Sequence, residues 1–254
     1  MKKTTYMMIA LFFLGLVAFS MLISYNVTKA DRNERMEYEN RPVIGVMPEM
    51  TDTLPEFSEV KFYGNDDVSS LGIGGFKGFA ILESDCVKRP ELVAPADWMP
   101  YIKRDVEDGV LSVSIDRDSI VKGCLSPDGS FSKDRHYKVK ADSSIIATIR
   151  VPRGKLSSVN SSLKGVTIYL DSLRAGSLRT DICHRIVLNN SHFDTLENKS
   201  TKIRELKLNG STVGMLKMGA KRRGFTINCV DSVSAVGSYS FESGGSKNGM
   251  KISF

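Results

Sequence analysis

Apolar and polar residues alternate in short segments from residue 155 to the C-terminus, and these segments repeat. Each of four segments combines an alternating strand pattern with a closing polar turn: Val166–Ser172, Ile186–Ser191, Leu206–Ser211 and Phe225–Ser232. The closing serines are 19, 20 and 21 residues apart. A second short element follows each turn and contains a recurring apolar residue: Leu178, Leu196, Leu216 and Val236. Met250–Phe254 stands where a fifth main strand is expected.

A repeat of about 20 residues with two short strands predicts a β-solenoid. One such rung cannot bury its apolar residues alone. Rungs stacked about 4.8 Å apart would enclose a continuous apolar interior. The Asn-Ser and Asp-Ser pairs at the corners favour turns, because Asx side chains bond to their own backbone and Asn tolerates a left-handed conformation.

The preceding residues, 59–152, also alternate between apolar and polar residues, with turn residues between the segments, as strands do. The predicted strands are Phe76–Leu82, Glu91–Ala94, Gly109–Ile115 and Ile145–Val151. A short helix is expected between Pro95 and Pro100, and Arg117–His136 is predicted to be a long charged excursion between strands.

The order of these elements resembles a known bacterial family. The resemblance is carried by Phe76–Leu82, Glu91–Ala94, Gly109–Ile115, then Ile149–Pro152 followed by Leu156 and the stacked rungs. Asn209–Val213 is the best match to the family's Gly-Ser-Gly-x-Ile corner. Over residues 57–254 the chain resembles the auto-transporter adhesin head domain, or GIN domain, of Bacteroidetes envelope proteins. That resemblance implies an all-β fold, a single-stranded right-handed parallel β-helix, with no catalytic residues.

The N-terminus predicts a transmembrane helix. Residues 6–25 carry no charge, and 20 helical residues span about 30 Å, the thickness of the hydrocarbon core of a bilayer. The length favours a retained anchor. Thr28-Lys29-Ala30 leaves a cleaved signal open. Lys2 and Lys3 ahead of the apolar run resemble an export signal, so the β domain is predicted to lie outside the cytoplasm, in the periplasm or at the cell surface.

Charge and proline divide the chain into three predicted parts. Residues 1–30 form the anchor or signal, residues 31–56 an acidic tether, and residues 57–254 the β-helix domain. The tether has three prolines, and residues 31–60 have eight acids against three arginines. The whole chain has 35 bases and 29 acids, a net charge of +6, so residues 61–254 carry +8.

Basic residues recur just before the main strands, at Lys164, Arg185, Arg204 and Arg223, and Lys221 and Arg222 add to the last of these positions. Stacked rungs would align these bases along one edge. Such an edge concentrates anions and predicts binding of an anionic glycan, a lipid or an envelope protein. The alternative is a solvated edge that only prevents aggregation. Nucleic acid is not a predicted partner, because aromatic residues do not accompany the bases.

The sequence predicts no cofactor, no metal site and no catalytic residues. His192 and Asp194 could share one face, but two ligands are too few for a metal. Cys183 and Cys229 are 46 residues apart, about two rungs, which is too far for a disulfide, and both are predicted to be buried. Whether Cys86 and Cys124 pair is left open.

The predicted function is therefore that of a non-catalytic, membrane-tethered interaction module. Two alternatives stay open. One is a polysaccharide lyase or hydrolase on a β-helix, which would need converging carboxylates. The other is an envelope sensor or assembly factor whose terminal strand, Met250–Phe254, pairs with a partner.

Overall fold

The computed structural model describes residues 12–29, 43–44, 47–64, 78–116, 138–139, 145–219, 225–241 and 251–253. The chain divides into two compact units, Met1–Pro42 and Val43–Phe254. The described part of the first unit is one helix, Phe12–Lys29, which is long and apolar enough to cross a membrane. Its residues are all exposed, as those of a membrane span would be before insertion. The predicted span, 6–25, overlaps this helix, and residues 6–11 lie outside the described residues.

The second unit consists of strands and one short 3-10 helix, Met99–Tyr101. The strands in the described residues are β1 (Val43–Ile44), β2 (Glu49–Thr53), β3 (Glu59–Phe62), β4 (Gly78–Ser84), β5 (Glu91–Pro95), β6 (Ile102–Glu107), β7 (Val110–Ile115), β8 (Lys138–Val139), β9 (Ile145–Pro152), β10 (Ser158–Ser161), β11 (Thr167–Asp171), β12 (Arg174–Ile182), β13 (Arg185–Asn189), β14 (His192–Asn198), β15 (Glu205–Asn209), β16 (Thr212–Met218), β17 (Thr226–Cys229), β18 (Ala235–Phe241) and β19 (Lys251–Ser253). Every predicted strand corresponds to one of these, and the predicted short helix corresponds to the 3-10 helix. The predicted excursion at Arg117–His136 lies outside the described residues.

Two large sheets contain all of these strands except β1 and β8, which pair with each other. The first sheet has eight strands in the order β18-β16-β14-β12-β10-β3-β7-β6. The second has nine, in the order β19-β17-β15-β13-β11-β4-β9-β5-β2. From β10 onward, consecutive strands alternate between the sheets, and each pairs in parallel with the strand two places further along the chain.

The predicted fold class, a single-stranded right-handed parallel β-helix, is wrong. Both large sheets are mixed: β6 pairs with β7, β5 with β9 and β2 with β5, all antiparallel. The prediction extended the repeat of the C-terminal part to the whole domain. In residues 49–152, strands that lie side by side in a sheet do not follow the repeat along the chain. For example, β4 lies between β9 and β11. Alternation identifies a strand but not its direction, because parallel and antiparallel strands both alternate.

The core lies between the apolar faces of the two sheets. Phe62 of the first sheet stacks on Phe79 of the second, with ring centroids 4.8 Å apart. In the repeats, residues in register form apolar columns. One column contains Ile168, Ile186, Leu206 and Ile227, all buried. Burying an aliphatic side chain of this size contributes about 1.5–3 kcal/mol, so each added turn stabilises its neighbours.

Backbone contacts are closest where the repeats meet the N-terminal strands. A Cβ at Gly78, the first residue of β4, would lie 1.7 Å from the carbonyl oxygen of Thr167 in β11. Only glycine fits at this approach, so the pairing of β4 with β11 depends on it.

The strand register differs from the predicted alignment of the repeats in two places. The first is the apolar position of the second strand in each repeat. Leu178, Leu196 and Leu216 are in register with Tyr239, whereas Val236 is in register with Val213. Their offsets are 18, 20 and 23 residues. The last is the largest because the connection between β17 and β18 is longer than its equivalents.

The corner serines do not all align either. Ser172, which has a φ of 58°, shares its corner position with Asn190, whose φ is 48°, and with Gly210, whose φ is also 58°. The next position holds Ser191, Ser211 and Ser234, which we call the serine column. Ser232, the predicted fourth member, is exposed and is not part of it.

The sheets also begin before residue 57, the predicted start of the domain. Residues 49–53 were predicted to belong to the tether, and they form β2 at the edge of the nine-stranded sheet. The Leu54 N–H donates to the Pro90 carbonyl at 2.8 Å, and Leu54 and Phe57 are buried. A fragment that starts at residue 57 would therefore lose one edge strand and part of the core.

Candidate functional site

The predicted basic edge is partly described. Lys164, Arg185 and Arg204 are all exposed. The other three predicted residues, Lys221, Arg222 and Arg223, lie outside the described residues. The described part of the predicted site therefore lies near the starts of β11, β13 and β15.

These bases begin neighbouring strands, but they do not share one column. Arg185 is in register with Thr167 and Glu205. Arg204 comes one position earlier, and its N–H donates to the His184 carbonyl at 2.8 Å. Lys164 precedes Thr167 by three residues. The bases thus form a staggered patch rather than a straight row.

An acid inside the patch neutralises part of it. Arg185 Nε lies 2.5 Å from Glu205 Oε2, and both residues are in register on neighbouring strands. Neither Arg204 nor Lys164 takes part in an ion pair with a described residue. Among the described bases of the patch, these two charges are therefore available to a ligand.

A second polar surface, not predicted from the sequence, lies on the outer face of the eight-stranded sheet. A groove of about 550 Å³ runs over β10, and we call it the β10 furrow. Its floor contains Ser157, Ser158 and Asn160, and its walls and rim contain Glu59, Arg179, Asp181 and Lys199.

The register explains the shape of the furrow. Ser158 of β10 lies between Glu59 of β3 and Arg179 of β12. Asn160 lies between Lys61 and Asp181 in the same way. Short side chains on the middle strand and long charged ones on both neighbours leave a trough. Its walls are two inter-strand spacings apart, about 10 Å.

The β10 furrow is not evident from the sequence because one of its walls, β3, is distant from β10 along the chain. The alternation Glu59-Val-Lys-Phe62 would have placed Glu59 and Lys61 on the face opposite the core residues Val60 and Phe62. Nothing in the repeat, however, indicates that β3 is the neighbour of β10. That pairing joins residues about 100 positions apart.

The other residues considered from the sequence do not form a site in the described residues. His192 Nδ1 lies 2.9 Å from the Thr212 hydroxyl oxygen, and Asp194 is exposed. The described residues contain no group of three or more His, Cys, Asp and Glu arranged to hold a metal ion.

The described cysteines are all free. Cys229 is buried, as predicted, whereas Cys183 is half-buried and Cys86 is exposed. Cys124 lies outside the described residues. Burial raises the pKa of the Cys229 thiol, and the nearby Asp231 charge raises it further. Cys229 is therefore a protonated core residue rather than a nucleophile.

No protein-family model matches the chain, and no curated protein matches it. Solved structures resemble it at low identity. A "putative adhesin" from Parabacteroides merdae is 14% identical over 79% of this chain and 78% of its own, with a TM-score of 0.38. A second "putative adhesin", from Bacteroides fragilis, is 12% identical over 81% of this chain and 95% of its own, with a TM-score of 0.37.

A "putative lipid binding protein" from Parabacteroides distasonis is 12% identical over 85% of this chain and 100% of its own, with a TM-score of 0.27. All three TM-scores lie below 0.5, so these likenesses do not establish a shared fold or function.

Proposed function

We propose that this chain is a membrane-tethered, non-catalytic envelope protein of the adhesin-head (GIN) type, whose β domain lies outside the cytoplasm and binds anionic groups. The apolar helix Phe12–Lys29 supports the tether. The bases at the starts of β11, β13 and β15 support the binding surface. The common chemistry of the ligand is a carboxylate or phosphate group displayed repeatedly on an envelope polymer or lipid.

The observation that carries this proposal is the exposure of Arg204 and Lys164 on the patch. Glu205 already pairs with Arg185, so only part of the patch competes for anions. One pair of unit charges 4 Å apart in water is worth about 1 kcal/mol. A single contact is therefore weak, and useful affinity requires a ligand that contacts several bases at once.

Binding to polygalacturonate, a carboxylated polysaccharide, tests the proposal with the full chain in neutral detergent micelles. Neutral dextran serves as the matched polymer. Binding is measured at ionic strengths of about 0.01 M and about 0.15 M, where the Debye length is about 30 Å and about 8 Å. We expect binding to polygalacturonate at the lower ionic strength, a severalfold loss at the higher, and none to dextran.

Paired variants locate the surface. Arg204→Ser combined with Lys164→Ser is expected to weaken binding severalfold. Arg153→Ser removes an exposed base that pairs with Asp85 at 2.7 Å, outside the patch, and is expected to leave binding unchanged. Absence of binding at low ionic strength would contradict the proposal, as would an equal loss in the Arg153→Ser control. Vesicles with and without phosphatidylglycerol distinguish a lipid phosphate from a polymer carboxylate.

A further inference from the structure

We propose that the β10 furrow is a second binding site, separate from the basic patch, and that it takes a neutral, hydroxyl-rich chain such as an oligosaccharide. The inference rests on the floor, the walls and the charge balance of the furrow. It does not depend on the proposed binding of anions by Arg204 and Lys164.

The floor offers hydrogen-bonding groups that are held in place by the sheet. Ser158 and Asn160 share the outer face of the sheet with Arg179 and Asp181, their partners in register, on the opposite side from the buried Val159. Asn160 is half-buried, and Ser158 is 9% exposed. Within the described residues, the Asn160 amide has no side-chain hydrogen bond, so its two donor hydrogens and its oxygen are available. Ser157 adds a hydroxyl, which donates to the Ser58 carbonyl at 3.0 Å and can still accept.

The walls are charged, and no ion pair among the described residues joins Glu59 to Arg179 across the furrow. Glu59 faces Arg179 over Ser158, at a separation of two strand spacings, about 10 Å. The acid closest to Arg179 among the described ion pairs is Glu197, at 3.8 Å on the far side of the wall. Guanidinium and carboxylate groups on facing walls can both hydrogen-bond to hydroxyls, since a hydroxyl donates and accepts.

The charge balance favours a neutral ligand. Two acids, Glu59 and Asp181, and two bases, Arg179 and Lys199, line the furrow. An anion attracted by the bases would also be repelled by the acids, and the reverse holds for a cation. A ligand without net charge that presents many hydroxyl groups can donate hydrogen bonds to the acids and accept them from the bases.

The strand pairing of β10 argues against an extended peptide. β10 is paired on both sides, with β3 and with β12, so its backbone groups are already used in the sheet. A peptide would leave its own N–H and C=O groups without a ladder partner. The volume of about 550 Å³ falls within the range of ligand pockets, roughly 300 to 1,000 Å³, and the polar lining fits a polar ligand.

Calorimetric titration of the full chain in neutral detergent tests this site, with cellotetraose and the tetramer of N-acetylglucosamine as probes. We expect at least one of them to bind with an affinity that does not change between low and physiological ionic strength. Asn160→Ile fills the floor with a residue favoured in strands and removes the amide. Arg179→Gln removes the charge of one wall. Each is expected to weaken binding at least tenfold.

Lys217→Gln is the matched control, because Lys217 is exposed on the same sheet face, in register with Glu197, and lies outside the furrow. It should bind the probe as the parent chain does, and so should Arg204→Ser. Circular dichroism checks folding, and Arg179→Gln decides the matter if Asn160→Ile does not fold. The proposal is overturned if neither tetrasaccharide binds at millimolar concentration, or if Lys217→Gln loses as much affinity as Arg179→Gln. These outcomes leave the test with polygalacturonate unaffected.

Discussion

Asp231 closes the last described corner of the repeats with its carboxylate. The carboxylate accepts backbone N–H groups from Gly210 at 2.6 Å, Ser234 at 2.8 Å and Val233 at 3.0 Å. These hydrogen bonds, that from Gly210 most of all, lower the pKa of Asp231, against a smaller opposing effect of burial. The ionised side chain thus connects the loop after β17 to the corner after β15.

This lowered pKa predicts a loss of stability in acid. Because the folded pKa lies below the unfolded value of about 3.9, the unfolded chain binds more protons between the two values. The contribution of Asp231 is complete above about pH 4 and falls as the pH drops through the folded pKa. We expect Asp231→Asn to lower the melting temperature at neutral pH and to reduce its dependence on pH below about 4.

Thermal unfolding followed by circular dichroism from neutral to acid pH measures this effect. Asp194→Asn is the control, because Asp194 is an exposed carboxylate that accepts no described hydrogen bond. A melting temperature equally lowered by both variants, or the same acid dependence in Asp231→Asn as in the parent chain, would contradict the assignment.

Single residues near this corner also show the limits of prediction from sequence. The Asn-Ser corner at Asn190 was recognisable because such residues favour left-handed turns. Spacing alone predicts Ser232 at the corner position of the last described repeat. The longer loop after β17 moves that position to Ser234, whose hydroxyl accepts the Ser211 N–H at 3.2 Å. A change in loop length cannot be read from a repeat that is itself irregular.

At the scale of elements, the serine column joins neighbouring turns. Its side-chain hydrogen bonds add to the backbone hydrogen bonds of the sheets. The Ser191 hydroxyl accepts the Leu173 N–H at 3.1 Å and donates to the Leu170 carbonyl at 3.0 Å. The Ser211 hydroxyl accepts the Ser191 N–H at 3.0 Å in the same way. Both serines are fully buried, so water cannot replace these bonds.

Ser191→Ala is therefore expected to destabilise the protein by about 1–3 kcal/mol, the cost of a buried N–H group left without a partner. Ser238→Ala removes an exposed hydroxyl that bonds to the Gly214 carbonyl at 3.3 Å, and should change stability by less than about 0.5 kcal/mol. Urea unfolding of the full chain in detergent compares the two. If both variants lowered the free energy of unfolding equally, the serine column would contribute no more to stability than an exposed hydroxyl does.

Elements were predictable as strands but not as partners. The alternation at Glu91–Ala94 and Gly109–Ile115 correctly indicates β5 and β7. The antiparallel pairing of β5 with β9 joins Glu91 to Arg150, a contact far along the sequence that one chain without a repeat does not reveal. The pairing of β7 with β6 is local, a hairpin closed by Asp108 and Gly109 at φ values of 51° and 76°. An Asp-Gly pair between two strands indicates such a hairpin, but β6 was not among the predicted strands. The β10 furrow was missed because the pairing of β3 with β10 is also distant in sequence. The basic patch follows the repeat, and Lys164, Arg185 and Arg204 lie near the starts of neighbouring strands. Its role in binding stays a prediction.

For the whole molecule, the proposed membrane tether is tested at the helix Phe12–Lys29. Its exposed apolar surface includes Leu16, at the middle of the predicted span 6–25, and Phe19, near the middle of the described helix. Arginine at the centre of a membrane helix costs about 2.5–3.5 kcal/mol on insertion scales. We expect Leu16→Arg combined with Phe19→Arg to release the full chain from vesicles in a flotation experiment.

The matched variant Leu16→Ala with Phe19→Ala keeps the helix without charge and should still float with the vesicles. If both variants were released, the helix would be so close to the lower limit of hydrophobicity for a membrane span that losing two large apolar side chains is enough to detach it. Retention of the arginine variant would show that another part of the chain holds the membrane. Sequencing the N-terminus of the mature protein separates a retained anchor from a cleaved signal.

The parallel register of neighbouring repeats also determines how such a protein can change in length during evolution. β13 and β15 pair at an offset of 20 residues, and within the sheet each pairs only with the strands beside it. Duplication of that segment would add one strand to each sheet and keep the existing pairings. The molecule would grow by one strand spacing, about 4.8 Å, with each duplication. Homologues that descend from one ancestral gene would then differ in length by multiples of this spacing. The antiparallel strands at the other end of the sheets would stay unchanged.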